Sequence, residues 1–480
     1  VVQGDIIDRN GVVLATTDAS GERIYQKDAK SRSAVVHLIG DSQGNVANGV
    51  DSFQANYLLG FETSLSERVL ALLRGQTRRG DSVTLTADSK LSSLIVNAFQ
   101  TGAKTKGKSG AAVVMNYKTG EVLALVSLPV FDPANLTDAD KNSAQHPFWN
   151  RALQSTLPPG STFKIITAAA ALNTLENAQL LEFTCTGETK VLDQVIHDAG
   201  NAQHGKLGLE KAFSVSCNNA FAQAALIMGD DALRKQAEAF GFNDNFLFRD
   251  IVVENSVYPT KNRNNVEIAW SGAGQSQVAA TPLHMCMVAA AVANDGVMME
   301  PRLLQSVDSP AGVNRLQFSS KVYRRALSAQ TASILDGYMK KVVTSGTGTA
   351  SRVTGLAIAG KTGSAESASG GEATTHAWYV GYIDRDDETY VALFANTTTD
   401  AELLNIVLDT VDITGDNNTG GLVSINVGEI FNCKCLYNSD IAKLPFRYCS
   451  NTSDSLSYIL ANITIRLTIS FKGIFPAFKS

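Results

Sequence analysis

The chain contains 480 residues, of which 44% are hydrophobic and 18% charged, and its formal net charge is −5 at pH 7. This composition is typical of a globular protein with two or three domains and a large core, and it argues against a disordered or fibrous protein. The chain has no long basic run and no window of about 18 uninterrupted apolar residues, which disfavours nucleic acid as a partner and a membrane span within it.

Residues 1–108 are predicted to form a first, non-catalytic domain of mixed α/β structure. Residues 4–15 read as a strand, an Asn-Gly turn and a second strand, which together predict a hairpin. A further strand is predicted over 82–86, and a helix with one apolar face begins at Asp88. Because we find no catalytic constellation here, we expect a scaffold or interaction role for this domain.

Residues 109–411 are predicted to carry the chemistry. Two apolar strands, 111–117 and 121–126, are joined by a short turn, and their near-continuous apolar character favours a central hairpin buried on both faces. Further strands are predicted at 357–366, 377–382 and 390–395. Helices are predicted after Ser161 and at 221–228, 282–293 and 328–343. The pattern indicates one antiparallel sheet with helices on both sides.

The stretch around which the chain is organised is 157–172. Pro158, Pro159 and Gly160 cannot continue a helix, so an Ala- and Ile-rich helix is predicted to begin at Ser161, with Lys164 one turn further on. A serine hydroxyl needs a base to become a nucleophile, and a lysine in a dry pocket can lose its proton and act as that base. An ordinary capped helix with a solvated lysine is the alternative, so S-x-x-K needs partners elsewhere in the chain.

Two further short motifs supply candidate partners. S-x-x-K occurs once, S-x-N begins at Ser216 and Ser424, and K-T-G begins at Lys118 and Lys361. Lys118 fits a plain hairpin turn, and Ser424 lies in a stretch of different composition, so we discount both copies. The order that remains is Ser161, Ser216 and Lys361.

That order resembles the active-serine superfamily of penicillin-binding proteins and serine β-lactamases. The likeness extends to Asn-Arg-Ala at 150–152, to Gly-Gln at 274–275 with Thr-Pro-Leu at 281–283, and to residues 376–382 after K-T-G. Residues 4–11 are similar to the opening motif of class B members, although Gln3 stands where that motif usually has arginine. The resemblance covers roughly residues 1–410.

The resemblance implies an α+β fold, in which a transpeptidase domain with a central antiparallel sheet flanked by helices follows a smaller mixed domain of the dimerisation or pedestal type. It implies a serine-type D,D-transpeptidase that cross-links peptidoglycan stem peptides through a Ser161 acyl-enzyme. In that reaction Lys164 deprotonates Ser161, Ser216 relays a proton to the leaving amine, and Asn218 holds Lys164 and a substrate amide.

The K-T-G segment would bind the substrate. Lys361 adds positive charge that faces the substrate carboxylate and helps to keep Lys164 neutral, and the hydroxyl of Thr362 binds that carboxylate. Gly363 lets the substrate backbone approach the strand as an added strand would. The backbone N–H groups of Ser161 and Ser364 would form the oxyanion hole.

Several members of the superfamily remain as alternatives. The stretch before the first core strand is too short for a glycosyltransferase domain, which favours class B. A β-lactamase needs a base that hydrolyses its acyl-enzyme, and we find no convincing E-x-x-x-N signature between Asn218 and Lys361. A D,D-carboxypeptidase uses the same motifs, and a catalytically silent scaffold of a cell-wall complex would have no need of them.

The expected partners follow from the same resemblance. They are stem peptides that end in D-alanyl-D-alanine, β-lactam antibiotics, and cell-wall polymerase, division or elongation proteins. The expected location is the bacterial cell envelope, at the extracytoplasmic face of the cytoplasmic membrane, with an N-terminal anchor upstream of Val1.

The cysteines do not predict a metal site. They occur at Cys185, Cys217, Cys286, Cys433, Cys435 and Cys449. The first three are scattered and lack ligand spacing, and a single residue separates Cys433 from Cys435 where a zinc knuckle has two to four. We therefore expect no metal and no other cofactor. Cys217, inside S-x-N, is expected to point away from the nucleophile as a small core residue.

Residues 412–480 differ from the rest of the chain. They are rich in Asn, Ile, Ser and Phe and poor in Ala, and strict alternation over 463–471 predicts a strand with one exposed face. A small appended module and a non-native extension are both compatible with this composition. We favour the extension, because the shift is abrupt and the resemblance ends before it, and we expect loose packing.

Overall fold

The computed structural model describes residues 2–398 except 63–68, 70–72, 74, 76–78, 262, 370–371 and 385–390. The predicted tail, 412–480, lies outside the described residues. The fold is α+β, as predicted. Its strands are β1 Ile6–Ile7, β2 Val13–Thr17, β3 Arg23–Tyr25, β4 Ser82–Leu85, β5 Gly110–Asn116, β6 Val122–Leu128, β7 Glu182–Cys185, β8 Glu188–Val191, β9 Gln194–His197, β10 Gly205–Gly208, β11 Val297–Met299, β12 Leu304–Asp308, β13 Asn314–Gln317, β14 Val322–Arg325, β15 Ala357–Ser369, β16 Glu372–Asp384 and β17 Val391–Thr398.

The helices lie between these strands and pack on both faces of the larger sheet. They are α1 Ala29–Ala34, α2 Val36–Ile39, α3 Val50–Phe53, α4 Ala55–Leu58, α5 Ser89–Thr101, α6 Asp138–Lys141, α7 Arg151–Gln154, α8 Lys164–Thr174, α9 Leu209–Ser214, α10 Asn218–Met228, α11 Asp230–Ala239, α12 Asn265–Gly272, α13 Pro282–Ala293 and α14 Ala329–Ser345. Within the described part of the chain, no helix combines the length and the apolar character that crossing a bilayer requires.

Several helix starts follow from capping residues that the sequence displays. Asp88 accepts a hydrogen bond from the backbone N–H of Leu91 at 3.0 Å and begins α5. Thr281 caps α13, whose first residue is Pro282, and Ser328 caps α14. Each cap satisfies a backbone donor that the helix itself leaves unpaired. These helix predictions are confirmed.

The larger sheet has five antiparallel strands in the order β15-β16-β17-β5-β6. The β5–β6 hairpin is buried on both faces, as predicted, with α5 covering the face that includes Ala112 and Val114. Its predicted central position is wrong. β17 pairs with β5, so the three C-terminal strands are added on one side of the hairpin and leave β6 at the edge.

The smaller sheet has the order β13-β12-β4-β1-β2-β3 and includes the predicted hairpin β1–β2. Its strands do not all come from the first domain, because β12 and β13 follow residue 300 in the chain. Val83 of β4 lies between Ile6 of β1, a parallel neighbour, and Val307 of β12, an antiparallel one. The domain limits 1–108 and 109–411 therefore stay a prediction, and the sheet joins both stretches of chain.

Helix α8 lies at the centre of the helical layer. Every residue from Lys164 to Ala171 is buried, and the helix packs against α10, α11 and α14. The alanines of this run let the neighbouring helices approach closely, and close packing maximises dispersion contacts. The same closeness appears at Gly272 of α12, where a Cβ atom would lie 2.6 Å from the carbonyl oxygen of Phe221. Small residues therefore set the depth at which the start of α8 is buried.

Replacing Val83 with Ala tests the position of β4 between β1 and β12. Val83 is 0% exposed, so the loss of two methyl groups should lower the free energy of unfolding by about 2 kcal/mol. Thr84→Ala, on the opposite face of the same strand, is the matched control and should change it much less. Denaturant unfolding measures both, and equal effects would contradict burial of Val83 between the two stretches of chain.

Candidate active site

Ser161 lies in a short 3-10 turn, Gly160–Phe163, and the α-helix proper begins at Lys164. The helix was predicted to begin at Ser161 itself, so its first turn is tighter than expected. Gly160 has a φ of 52°. A Cβ atom at this position would lie 2.4 Å from the carbonyl oxygen of Ser364, so only glycine lets the turn approach β15 this closely. Ser161 is thereby held beside the edge strand of the larger sheet.

The amine of Lys164 has four polar neighbours. Its two shortest contacts join Nζ to the carbonyl oxygen of Ser216 at 2.6 Å and to Oδ1 of Asn218 at 2.7 Å. Nζ lies 3.1 Å from Oγ of Ser161 and 3.3 Å from Oγ of Ser216. A neutral amine has two protons and one lone pair. With its two protons on the two short contacts, the lone pair faces the hydroxyl groups of Ser161 and Ser216.

Ser216 occupies an unusual backbone conformation. Its φ of 60° lies in the left-handed region, which serine seldom adopts. This conformation places Oγ between two amines, 3.3 Å from Nζ of Lys164 and 2.9 Å from Nζ of Lys361. Lys361 also donates a hydrogen bond to the carbonyl oxygen of Thr362 at 2.9 Å. The arrangement is a continuous hydrogen-bonded path from Ser161 through Lys164 and Ser216 to Lys361.

Both lysines are fully buried, which disfavours their charged forms. Burial lowers the pKa of Lys164 to about 7, although Cys217 and Asp198 act in the opposite direction. Burial lowers the pKa of Lys361 well below its ordinary value, and repulsion by Lys164 lowers it further. A charge on either amine therefore disfavours a charge on the other. The expectation that Lys361 adds positive charge and helps to keep Lys164 neutral stays a prediction.

Aromatic rings form the apolar wall behind the two amines. Nζ of Lys164 lies 5.5 Å from the ring centre of Phe221, and Nζ of Lys361 lies 5.7 Å from that of Phe213. These rings exclude water, which is the physical cause of the lowered pKa values. The hydroxyl and amide groups, by contrast, reach the protein surface: Ser161, Ser216, Asn218 and Thr362 are partly exposed and Ser364 is exposed. The site has a polar surface with the two lysines beneath it.

The K-T-G segment lies on β15, and its hydroxyl has a partner that the sequence analysis missed. Oγ1 of Thr362 lies 2.6 Å from Oγ1 of Thr347, which is exposed in the loop after α14. That loop is held in place because the backbone N–H of Thr347 donates to the carbonyl oxygen of Ser214 at 3.1 Å. The sequence did contain a clue to Thr347, because Gly346 and Gly348 flank it and glycines are typical of loops.

Gly363 has a different neighbour from the one expected. A Cβ atom at this position would lie 2.9 Å from Cγ2 of Thr162 and 3.2 Å from the carbonyl oxygen of Pro159. Glycine is therefore needed here for the approach of the nucleophile turn to β15. The predicted approach of the substrate backbone at Gly363 stays a prediction.

Asn218 is positioned by residues that no motif identified. Its Nδ2 donates to the carbonyl oxygen of His197 at 2.9 Å, and its backbone N–H donates to Oδ1 of Asp198. Cys217 is buried and directs its sulfur towards Oδ2 of Asp198 at 3.2 Å, and not towards Ser161. Cys185 also contacts this oxygen, at 2.9 Å. Cys185 and Cys217 are far apart in the sequence, and the fold of residues 182–217 brings them together at Asp198.

The structure thus brings Ser161, Lys164, Ser216, Asn218 and Lys361 into one hydrogen-bonded cluster and sets Thr362, Gly363 and Ser364 along its edge. A serine oxygen faces an amine with a lowered pKa, and a second hydroxyl lies beside the same amine. These are the groups that acyl transfer through a covalent serine intermediate requires.

Comparisons with known proteins give the same chemistry. A family model described as the penicillin-binding protein transpeptidase domain matches residues 110–405. The peptidoglycan D,D-transpeptidase PbpA of Mycolicibacterium smegmatis is 33% identical over 367 residues, which cover 72% of this chain and 73% of that protein. The protein of the same name from Mycobacterium tuberculosis is 35% identical over 340 residues, which cover 66% of this chain and 67% of that protein.

Solved structures of similar shape include acyl-enzyme complexes. Penicillin-binding protein A from M. tuberculosis in its ceftriaxone acyl-enzyme complex has a TM-score of 0.74 and 28% identity, with 82% of this chain and 92% of that chain covered. Its penicillin G acyl-enzyme complex has a TM-score of 0.72 at the same 28% identity, with 83% and 93% covered. Both are acyl-enzyme complexes with a β-lactam.

The titration of Lys164 can be measured directly. In protein labelled with ¹³C at the lysine ε-carbon, we expect one resonance to titrate with a pKa of about 7, because burial disfavours the ammonium form. That resonance should be absent from Lys164→Met, which assigns it. A Lys164 resonance that titrates near the ordinary value of about 10.4 would contradict the dry environment described above.

Proposed function

The chain belongs to the penicillin-binding protein transpeptidase family and is a peptidoglycan D,D-transpeptidase, and we propose that Ser161 is the nucleophile that forms its acyl-enzyme. The observation that carries the proposal is the 3.1 Å contact between Oγ of Ser161 and Nζ of Lys164. The two short contacts of this amine occupy its protons and leave its lone pair for the serine hydroxyl.

Acylation begins when Lys164 accepts the proton of the Ser161 hydroxyl. Oγ of Ser161 forms a bond to the carbonyl carbon of the penultimate D-alanine of a stem peptide, and the bond from that carbon to the terminal D-alanine nitrogen breaks. The proton passes from Lys164 through Oγ of Ser216 to the leaving amine, so terminal D-alanine departs with a neutral nitrogen. Lys164 needs a pKa near neutral both to accept the proton of Ser161 and to give it up again. Burial lowers its pKa into this range.

Cross-linking repeats the same path in reverse. The amine of a second stem peptide forms a bond to the acyl carbon and gives a proton to Lys164 through Ser216. The bond from that carbon to Oγ of Ser161 breaks, and Lys164 passes its proton to Oγ, which restores the hydroxyl. Oδ1 of Asn218 lies 2.7 Å from the amine of Lys164 and holds it in position. The amide of Asn218 is proposed to face the acceptor peptide. The same groups therefore serve both half-reactions, as microscopic reversibility requires.

Two sets of groups are proposed to bind the donor peptide. The hydroxyls of Thr362 and Thr347, 2.6 Å apart, together form a site for its terminal carboxylate, with Lys361 beneath them. The backbone N–H groups of Ser161 and Ser364 are proposed as the oxyanion hole, and the turn at Gly160 holds these two residues close together. One such donor is typically worth about 3 kcal/mol of transition-state stabilisation.

A β-lactam is proposed to acylate the same serine, because its strained amide takes the place of the D-alanyl-D-alanine bond. The proposed place of action is the extracytoplasmic face of the cytoplasmic membrane, where this substrate is found. Residues 1–108 are proposed as a dimerisation or pedestal domain that meets cell-wall polymerase, division or elongation proteins. The proposed boundaries of the domains are 1–108 and 109–411, with an atypical tail at 412–480.

The test is acylation by a fluorescent penicillin, followed by intact-protein mass spectrometry over hours. A stable adduct on the wild type and none on Ser161→Ala is expected, because the substitution removes the only atom proposed to form the bond. Thr167→Ala, a buried hydroxyl on the same helix that lies outside the proposed path, is the matched control and should still be acylated.

The other outcomes are informative. An adduct that disappears within seconds while penicilloate accumulates would identify a β-lactamase, and the absence of any adduct would favour a scaffold. Release of D-alanine from stem peptides without cross-linked product, when an acceptor peptide is present, would identify a carboxypeptidase. An adduct that persists on Ser161→Ala would refute the assignment of the nucleophile.

A Gly363→Ala substitution tests the packing of the nucleophile turn against β15. The new methyl group would lie 2.9 Å from Cγ2 of Thr162, so we expect the turn to shift and acylation to slow by about 10- to 100-fold. Gly337→Ala, where nothing lies within 4 Å of the added carbon, is the control and should leave the rate unchanged. Equal rates for the two variants would show that the turn tolerates displacement.

A further inference from the structure

The loop between α12 and α13, residues 273–281, lies directly against the nucleophile turn. The carbonyl oxygen of Gly274 accepts a hydrogen bond from the backbone N–H of Gly160 at 3.0 Å. Leu157 and Ala280 exchange two further backbone hydrogen bonds, of 3.0 and 2.9 Å. A Cβ atom at Gly274 would lie 2.0 Å from the carbonyl oxygen of Gly160, so the contact leaves no room for a side chain. A shift of this loop would therefore move the nucleophile turn.

The same loop has an unusual backbone at two successive residues. Ser276 has a φ of 57° and Gln277 a φ of 69°, in the left-handed region that residues other than glycine seldom adopt. Such a conformation persists only where surrounding contacts hold it. Arg263 supplies two contacts to Ser276, because its Nη2 lies 3.4 Å from the carbonyl oxygen and 3.3 Å from Oγ of that residue. Arg263 therefore supports a part of the loop whose backbone conformation is intrinsically unfavourable.

Arg263 also connects the loop to the helices around it. Only 4% of its side chain is exposed. Besides Ser276, its Nη2 lies within hydrogen-bond distance of Oγ of Ser271, near the end of α12. Its Nη1 pairs with Oδ1 of Asp230 at 3.2 Å, which supplies the opposite charge that a buried guanidinium requires. Ser271 and Ser276 flank Gly274, so one guanidinium holds both ends of the segment whose carbonyl reaches the nucleophile turn.

An aromatic pair joins Arg263 to the nucleophile turn by a second route. Nη1 donates to the hydroxyl oxygen of Tyr258 at 3.0 Å, and the guanidinium carbon lies 5.3 Å from the centre of the tyrosine ring. That ring is stacked on Phe163, the last residue of the nucleophile turn, with ring centres 6.0 Å apart and an interplanar angle of 15°. Both rings are fully buried, so close packing transmits a displacement of one ring to the other.

We propose that Arg263 is a positioning residue for acyl transfer, which fixes Ser161 by holding the α12–α13 loop and Tyr258 against the nucleophile turn. It acts through Gly160 and Phe163, the first and last residues of that turn. The inference rests on the proposed role of Ser161 as the nucleophile.

Support of this kind affects bond formation more than substrate binding. The groups proposed to bind the donor carboxylate, Thr347 and Thr362, lie in the loop after α14 and on β15, away from the contacts of Arg263. The reacting oxygen of Ser161, by contrast, needs a precise position, and a displacement of about 1 Å can slow a reaction by about 100-fold. Loss of Arg263 should therefore lower the rate of acylation and leave the affinity of the first complex nearly unchanged.

The test measures acylation of the full chain by a fluorescent penicillin in a stopped-flow instrument, over concentrations that reach saturation. For Arg263→Gln we expect the first-order rate to fall about 10- to 100-fold and the dissociation constant of the first complex to change by less than about 3-fold. Arg263→Lys keeps the charge beside Asp230 but loses the planar fork, so it should also be slow. Arg234→Gln removes a second arginine that pairs with Asp230, at 3.4 Å, and as the matched control it should acylate at the wild-type rate.

A rescue experiment separates positioning from general destabilisation. Glycine adopts positive φ freely, so Ser276→Gly removes the need for a contact that holds the left-handed backbone. Added to Arg263→Gln, it should raise the rate of acylation by about 5-fold. Ser276→Ala, which keeps the backbone penalty, should not raise the rate of Arg263→Gln.

The measurements can also overturn the inference. Variants of Arg263 that unfold at a lower temperature yet acylate at the wild-type rate would do so, as would an equal slowing by Arg234→Gln. If Arg263→Gln does not fold, the rate of Arg263→Lys decides the question, because a wild-type rate in that variant would also overturn the inference. Wild-type protein that forms no adduct at Ser161 would instead refute the assignment of the nucleophile, and the inference would fall with it.

Discussion

The amine of Lys164 is where the separate parts of this protein meet. It comes from the first residue of α8 and contacts Ser161 on the preceding turn and Ser216 and Asn218 on a segment more than fifty residues further along the chain. Burial of a lysine is costly unless its amine is neutral and hydrogen-bonded. A base beside a serine must also be neutral and held in position. The environment that makes burial of Lys164 tolerable therefore also makes it a base.

Small residues make this burial possible. The alanines of α8 let α10, α11 and α14 close around it, and Phe221 and Phe213 keep water from the two amines. Gly160 and Gly363 bring the nucleophile turn against the edge strand β15, where larger side chains would overlap with backbone or with Thr162. The position of Ser161 is therefore set by close contacts on both sides, and not by the helix N-terminus alone.

The segment between α8 and α10 supports the site from behind. Asp198 receives hydrogen bonds from the backbone of Asn218 and the side chain of Asn219, and it lies within 3.4 Å of Cys185, Cys217 and His204. Cys217, the central residue of S-x-N, belongs to this cluster. Ser216, with its left-handed φ, directly precedes Cys217 in this segment.

The sequence by itself determined the order of the motifs, the identity of the nucleophile candidate and most of the helices, because glycines, prolines, caps and apolar periodicity act over a few residues. It also predicted the α+β class, since runs of buried strand and helix are visible locally. Only the tertiary structure decided that β6 lies at the sheet's edge, that β12 and β13 complete the smaller sheet, and that Thr347 lies beside Thr362. The cluster around Asp198 belongs to the same group, because its members lie up to 32 residues apart and no short-range pattern relates them. Pairing between distant strands and contacts between distant loops depend on how the whole core closes, and that information is not contained in any one stretch of the chain.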